Sequence, residues 1–198
     1  VCITAAMREG TGLVPYAKEF PSRYYDVGIA EGHGVTFAAG LATQKVRPIV
    51  AIYSTFLQRA YDHIIHDAAI QHLPVVFCMD RAGIAGEDGP THHGALDIAY
   101  LKCVQDLIVT APKDGNELRH LLYTALDYSN GPFSIRYPKA PSVNFDSKGQ
   151  AELLPIGSWE VCRKSNGGTV ILAVGPQVFD AINAAENQRI IIQTKTFF

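Results

Sequence analysis

No stretch of this sequence is apolar for long enough to cross a bilayer. The longest apolar runs, such as Val75 to Met79, fall far short of the ~20 residues a spanning helix needs. Nor does a charged-then-apolar signal segment open the chain. Basic clustering is absent too: the 17 Lys and Arg are outnumbered by 19 Asp and Glu and form no stripe. With a net charge of −2, the chain offers little to nucleic acid or an anionic membrane, and a small-molecule partner suits it better. Cysteine is scarce, and Cys2, Cys78, Cys103 and Cys162 are widely spaced, with no CxxC pair. That spacing argues against a disulfide framework and for buried, reduced thiols in a reducing compartment. The seven histidines invite a metal, but His63 and His66 stand one helical turn apart, and neither they nor His72 find a third ligand at a metalloenzyme spacing. An initiator Met is also lacking: the chain begins at Val1 and already reads as strand over Cys2–Ala5, so a preceding part is expected.

What is present is concentrated. Residues 80–93, DRAGIAGEDGPTHH, follow a buried strand and crowd glycine, both charge signs and a histidine pair onto one loop. Glycine lets backbone approach a ligand closely, while Arg81, Glu87, Asp88, His92 and His93 supply titratable groups. In an open α/β sheet, ligands sit at the carboxyl ends of strands, where such a loop emerges.

Apolar runs alternate with amphipathic stretches along the whole chain, the pattern of a mostly parallel sheet flanked by helices, hence an α/β fold. Strands are expected at Cys2–Ala5, Tyr24–Val27, Pro48–Tyr53, Pro74–Met79, Leu107–Thr110 and Phe133–Tyr137. Helices are expected after Glu31, over Thr55–Gln71 with Leu57, Tyr61, Ile64, Ile65 and Ala68 on one face, and from an Asp114 cap to about Tyr128. From Pro138 to Gly157 the composition turns polar and proline-rich, as a linker does. Beyond it, Thr169–Val174, a helix over Gln177–Glu186 and Arg189–Gln193 make one βαβ unit, too little to bury both its faces alone. Residues 1–141 are therefore expected to form one domain, 142–157 a linker, and 158–198 the start of a second.

Two strand-to-helix turns add to the loop. Glu31 opens a helix within Asp26-Val27-Gly28-Ile29-Ala30-Glu31-Gly32, where the helix dipole favours its anion and the glycines admit a flat ligand. The segment Tyr53-Ser54-Thr55-Phe56-Leu57-Gln58-Arg59 sets two aromatics and an arginine at the next turn. Thr55 as a cap and Phe56 as core are the plain alternatives, but three such turns on one sheet edge would converge on one crevice.

Residues 26–42 (DVGIAEGHGVTFAAGLA), 48–97 (PIVAIYSTFLQRAYDHIIHDAAIQHLPVVFCMDRAGIAGEDGPTHHGALD) and 131–139 (GPFSIRYPK) resemble the 1-deoxy-D-xylulose-5-phosphate synthase family of the transketolase superfamily. The resemblance covers about residues 1–140, the family's middle, pyrimidine-binding domain; the rest is similar to the start of its C-terminal domain. It implies a thiamine-diphosphate enzyme that decarboxylates pyruvate and joins the two-carbon unit to glyceraldehyde 3-phosphate, supplying isoprenoid and thiamine synthesis. By the resemblance, Glu31 hydrogen-bonds the aminopyrimidine nitrogen, Phe56 stacks on that ring, and Tyr53 and Arg59 line the pocket. Arg81 and Lys139 match the cations that hold the acceptor's phosphate, while Asp88 and His92 match residues that contact the acceptor or the thiamine adduct, with His92 counted beside Glu31 as catalytic. Lys139 stands where the family usually carries Arg, and Gly32 where glutamine is common, a change that would loosen the pocket. The family's GDG motif with a distal Asn, which binds Mg2+ and diphosphate, is absent from this chain. It belongs to an N-terminal domain, so this chain alone should bind half a cofactor. The resemblance further implies a homodimer in a bacterial cytoplasm or plastid stroma. Transketolase shares GEDGPTH, but YSTFLQRAYD and DRAG favour the synthase. A non-catalytic split subunit and an unrelated flavodoxin-like binding domain are the other readings, and neither needs Glu31, Phe56, Arg59, Arg81 and His92 together.

Overall fold

A computed structural model describes residues 1–143, 145–164, 168–186 and 190–195, which form two compact units. The first comprises Val1–Val109 with Ala125–Lys139, the second Thr110–Thr124 with Ala140–Phe198. In chain order the elements are β1 (Cys2–Thr4), α1 (Val14–Glu19), β2 (Tyr24–Asp26), α2 (Glu31–Thr43), β3 (Ile49–Tyr53), α3 (Ser54–Leu57), α4 (Tyr61–His63), β4 (Val76–Asp80), α5 (Asp97–Leu101), β5 (Ile108–Thr110), α6 (Gly115–Asp127), β6 (Phe133–Arg136), β7 (Trp159–Arg163), β8 (Thr169–Ala173), α7 (Gln177–Ala184) and β9 (Ile190–Lys195).

The six strands expected before the linker are all present and share one sheet, in the order β2-β1-β3-β4-β6-β5. The pairings of β1 with β2 and β3, of β3 with β4 and of β4 with β6 are parallel. Every residue of β4 is buried, as a central parallel strand covered on both faces requires. Phe77, Phe133, Ile3, Ile52 and Met79 are fully buried in the core of this unit. Cys2 and Cys78 are buried as expected, and burial pushes the Cys78 thiol up to about 12; Cys103 is exposed and Cys162 only half-buried, which corrects the expectation of four buried thiols. The register pairs Tyr53 with Asp80, so β3 and β4 end level and their following turns start side by side.

Helix α2 packs closely because its inward positions are small. A methyl group on Gly34 would come within 3.3 Å of Val27, and Val35, Ala38 and Ala39 are buried. The helix expected over Thr55–Gln71 is not continuous. It runs as α3, a 3₁₀ turn over Gln58–Ala60, α4, and a π turn over Ile64–Ala69. Leu57, Ile64 and Ala68 are buried as their spacing predicts, but an average period of 3.6 cannot reveal where single turns tighten or widen. Helices α1 and α5 were not foreseen; with six and five residues they are too short for a periodicity to register.

In the second unit, β8 and β9 are parallel with α7 between them in sequence, as expected, but a third strand joins them. β7 pairs antiparallel with β9, which corrects the single βαβ unit. Its residues Trp159, Glu160 and Val161 are all exposed, so the buried-exposed alternation that marks a strand is missing. Asp114 caps α6 as predicted, its Oδ1 accepting the Glu117 N–H at 2.9 Å. Arg189, expected to open the last strand, lies outside the described residues. No helix among the described residues is long and apolar enough to cross a membrane.

Candidate functional site

Five strand ends of the first unit supply the site. After β2, the chain turns through Gly28, whose φ of 68° is the left-handed conformation glycine adopts without strain, and α2 begins at Glu31. The Glu31 side chain is only 2% exposed, although it is charged and stands in the first helical turn. Its Oε1 accepts a hydrogen bond from Arg59 Nη1 at 2.6 Å. Arg59 is itself 56% exposed and lies over Phe56, with Cζ 5.0 Å from the ring centroid.

The turn after β3 builds an aromatic platform. Tyr53 and Phe56 stack with centroids 5.9 Å apart and planes 19° from parallel, both half-buried. His92 meets the edge of Phe56 at 5.2 Å and lies 6.4 Å from Tyr53. Burial pushes the Tyr53 hydroxyl above its ordinary pKa.

The loop after β4 is organised by Arg81, whose backbone is left-handed at φ 59°, a conformation that costs a non-glycine residue roughly 1–2 kcal/mol. Its guanidinium lies 3.7 Å above the Tyr53 centroid. Nη1 donates to Asp80 Oδ2 at 2.8 Å and to the Gly10 carbonyl at 3.2 Å, while Nε donates to Asp88 Oδ2 at 2.8 Å. Lys139, after β6, donates to Asp88 Oδ1 at 2.7 Å and remains 42% exposed. Thus Asp88 joins both cations, and of the two Lys139 is the more open to solvent.

The ammonium of Lys139 and then the guanidinium of Arg81 hold the Asp88 carboxyl below the usual carboxylate range. Because the folded value is depressed, this clamp is intact above the ordinary carboxylate pKa and is lost only as pH falls through the lowered value. A carbon-13 titration should therefore place the Asp88 inflection below about 3.9. An inflection at or above that value would contradict the clamp.

All eight site residues expected from sequence, Glu31, Tyr53, Phe56, Arg59, Arg81, Asp88, His92 and Lys139, are joined by these contacts, with Lys139 at the rim. Two contributors were missed. Gly10, after β1, presents its carbonyl to Arg81, and a Cβ there would overlap the Tyr53 hydroxyl at 1.6 Å. Met7 offers its sulfur to the Tyr53 N–H at 3.4 Å. Only the closeness of the Gly10 backbone to Tyr53 marks that glycine, and spacing along the chain does not carry that information. Gly32 lies against His63. The His63 ring packs on it so closely that a Cβ would lie 2.6 Å from His63 Cε1. Among the described residues, no group of three or more His, Cys, Asp or Glu is placed to hold a metal ion.

A family model described as "Transketolase, pyrimidine binding domain" matches residues 1–142. The chain is 57% identical over 186 residues to the 1-deoxy-D-xylulose-5-phosphate synthase of Thermomicrobium roseum and 56% identical over 186 residues to that of Aquifex aeolicus. Both alignments take in 94% of this chain and 29% of the relative, so the chain spans under a third of the length of these relatives. The solved transketolase from Leishmania mexicana shares the fold, with a TM-score of 0.83 at 21% identity, covering 100% of this chain and 31% of that one.

Proposed function

We propose that this chain, which belongs to the transketolase pyrimidine-binding domain family, is the pyrimidine-binding region of a thiamine-diphosphate-dependent 1-deoxy-D-xylulose-5-phosphate synthase. Residues 1–141 form that domain, 142–157 a linker and 158–198 the start of the domain that follows. The observation that carries the reading is the buried Glu31 carboxylate, held by Arg59 beside the half-buried face of Phe56. A flat, protonatable heterocycle fits that pairing, since one face needs an aromatic partner and one edge nitrogen needs a carboxyl group.

When bound, thiamine diphosphate supplies the carbon that carries the two-carbon unit of pyruvate after loss of carbon dioxide. This chain's own residues bind and orient. Phe56 stacks on the aminopyrimidine, and Tyr53 backs Phe56 and lines the acceptor side. Arg59 engages Glu31 Oε1, leaving Oε2 to hold a proton at the ring nitrogen. Lys139 meets the phosphate of glyceraldehyde 3-phosphate as a point charge, without the bidentate fork an arginine would offer. Arg81 supports it, while Asp88 and His92 contact the acceptor or the thiamine adduct. Mg2+ and the diphosphate are held by a region outside this chain, in a cytoplasmic homodimer.

The test is product formation from pyruvate and glyceraldehyde 3-phosphate by the complete enzyme, with Lys139→Ala alongside. Deoxyxylulose phosphate should appear, and the variant should raise the KM for the phosphorylated aldehyde about tenfold or more while sparing pyruvate, as loss of a charge-assisted contact predicts. Ketol transfer between sugar phosphates without use of pyruvate would instead favour a transketolase, and equal effects on both substrates would remove Lys139 from the phosphate site.

A further inference from the structure

One buried polar cluster lies outside the residues assigned above. Asp97, at the start of α5, has a side chain only 1% exposed. Its Oδ2 accepts the Ser54 hydroxyl at 3.0 Å and Arg136 Nε at 2.8 Å, and its Oδ1 accepts the Ile98 N–H at 2.8 Å. A carboxylate removed from water at this depth is retained only when charge and hydrogen bonds replace its hydration, and here both do. What the cluster joins is more telling than how it is satisfied. Ser54 sits between Tyr53 and Phe56 in the platform turn, Arg136 ends β6, and Asp97 closes the loop that carries Arg81, Asp88 and His92.

The base of that loop is fitted to Ser54. Gly94 pairs with Gly83, exchanging N–H···O bonds of 2.9 and 2.8 Å. A Cβ on Gly94 would lie 2.3 Å from Ser54 Oγ and 2.5 Å from the Arg81 carbonyl oxygen. The loop therefore enters and leaves through a gap that Ser54 fills, and Asp97 fixes the hydroxyl that fills it.

We infer that Ser54 and Asp97 are positioning residues, which set the acceptor loop against the aromatic platform by pinning the loop's base to the turn carrying Phe56. The inference rests on the proposed function for its kinetic consequence but not for its geometry. The loop's placement of His92 against the edge of Phe56, at 5.2 Å, is the distance the cluster maintains. Hydrogen bonding to an ionised partner makes the Ser54 contact a strong one, and removing it frees the loop without stripping Asp97 of its arginine.

Ser54→Ala in the complete enzyme is the first variant, because Asp97→Asn leaves Arg136 buried beside a neutral group and risks unfolding. In Ser54→Ala, kcat/KM for the phosphorylated aldehyde should fall about tenfold, with KM for pyruvate unchanged and a modest fall in the thermal midpoint from the lost buried hydrogen bond. Independently of activity, the His92 ring resonance, assigned with His92→Gln, should lose the shift imposed by the Phe56 ring current. A thermal loss with an unmoved His92 resonance would show the cluster to be structural only and overturn the inference. If the wild-type enzyme makes no product from the two substrates, the proposed function fails while the His92 resonance still decides this point.

Discussion

Glu31→Ala in the complete enzyme should lower turnover by two or more orders of magnitude, since a positioned general acid or base contributes typically 10²–10⁴-fold. The same variant should fold almost normally, for a reason visible in the asymmetry of the pair. Glu31 is 2% exposed, but its partner Arg59 is 56% exposed. Deleting the carboxylate removes a desolvated charge, and the guanidinium left behind turns to water instead of standing unpaired in the core. Turnover and the thermal midpoint measured on the same sample separate the two effects. Near-normal turnover would remove Glu31 from its assigned role, and a collapse of both would make it a structural ion pair.

A second large effect is expected from one methyl group. Gly94→Ala places a carbon 2.5 Å from the Arg81 carbonyl oxygen and 2.3 Å from Ser54 Oγ, and the first of these is backbone that cannot rotate away. Overpacking of this kind costs about 1–3 kcal/mol, and here relief requires that the Gly83–Gly94 bridge open. The variant should therefore lose stability and acceptor affinity together. Gly40→Ala makes the matching control: Gly40 lies on the exposed side of α2 with nothing within 4 Å of its added carbon, so the same change there should stabilise by roughly 0.5–1 kcal/mol. Denaturant midpoints of the two variants should move in opposite directions. A neutral Gly94→Ala would mean that the loop base yields easily, and its close fit would lose its significance.

Sequence alone determined the α/β class, the six strands of the first sheet and the three turns that meet at the site. These features are written locally: an apolar run such as Val75 to Met79 has nowhere to go but a covered strand, and the glycines that follow it break the strand pattern and mark a loop. The aromatic and charged types at Tyr53, Phe56, Arg59 and Glu31 were legible for the same reason, because a strand-to-helix turn in a parallel sheet faces the crevice at its carboxyl end whatever the rest of the chain does. Tertiary structure decided the partners. That Arg59 holds Glu31, that Asp88 joins Arg81 to a lysine, Lys139, lying 51 residues beyond Asp88, and that Gly10 and Gly94 are glycines because Tyr53, Ser54 and the Arg81 backbone occupy their side-chain space all depend on which strands lie side by side and in what register. The same holds for the breaks in the helix after Ser54 and for β7, which gains its place from β9 rather than from any alternation of its own. Hydrogen bonds and close contacts act over a few ångströms of space, and separation along the chain does not encode which distant residues will be brought that near.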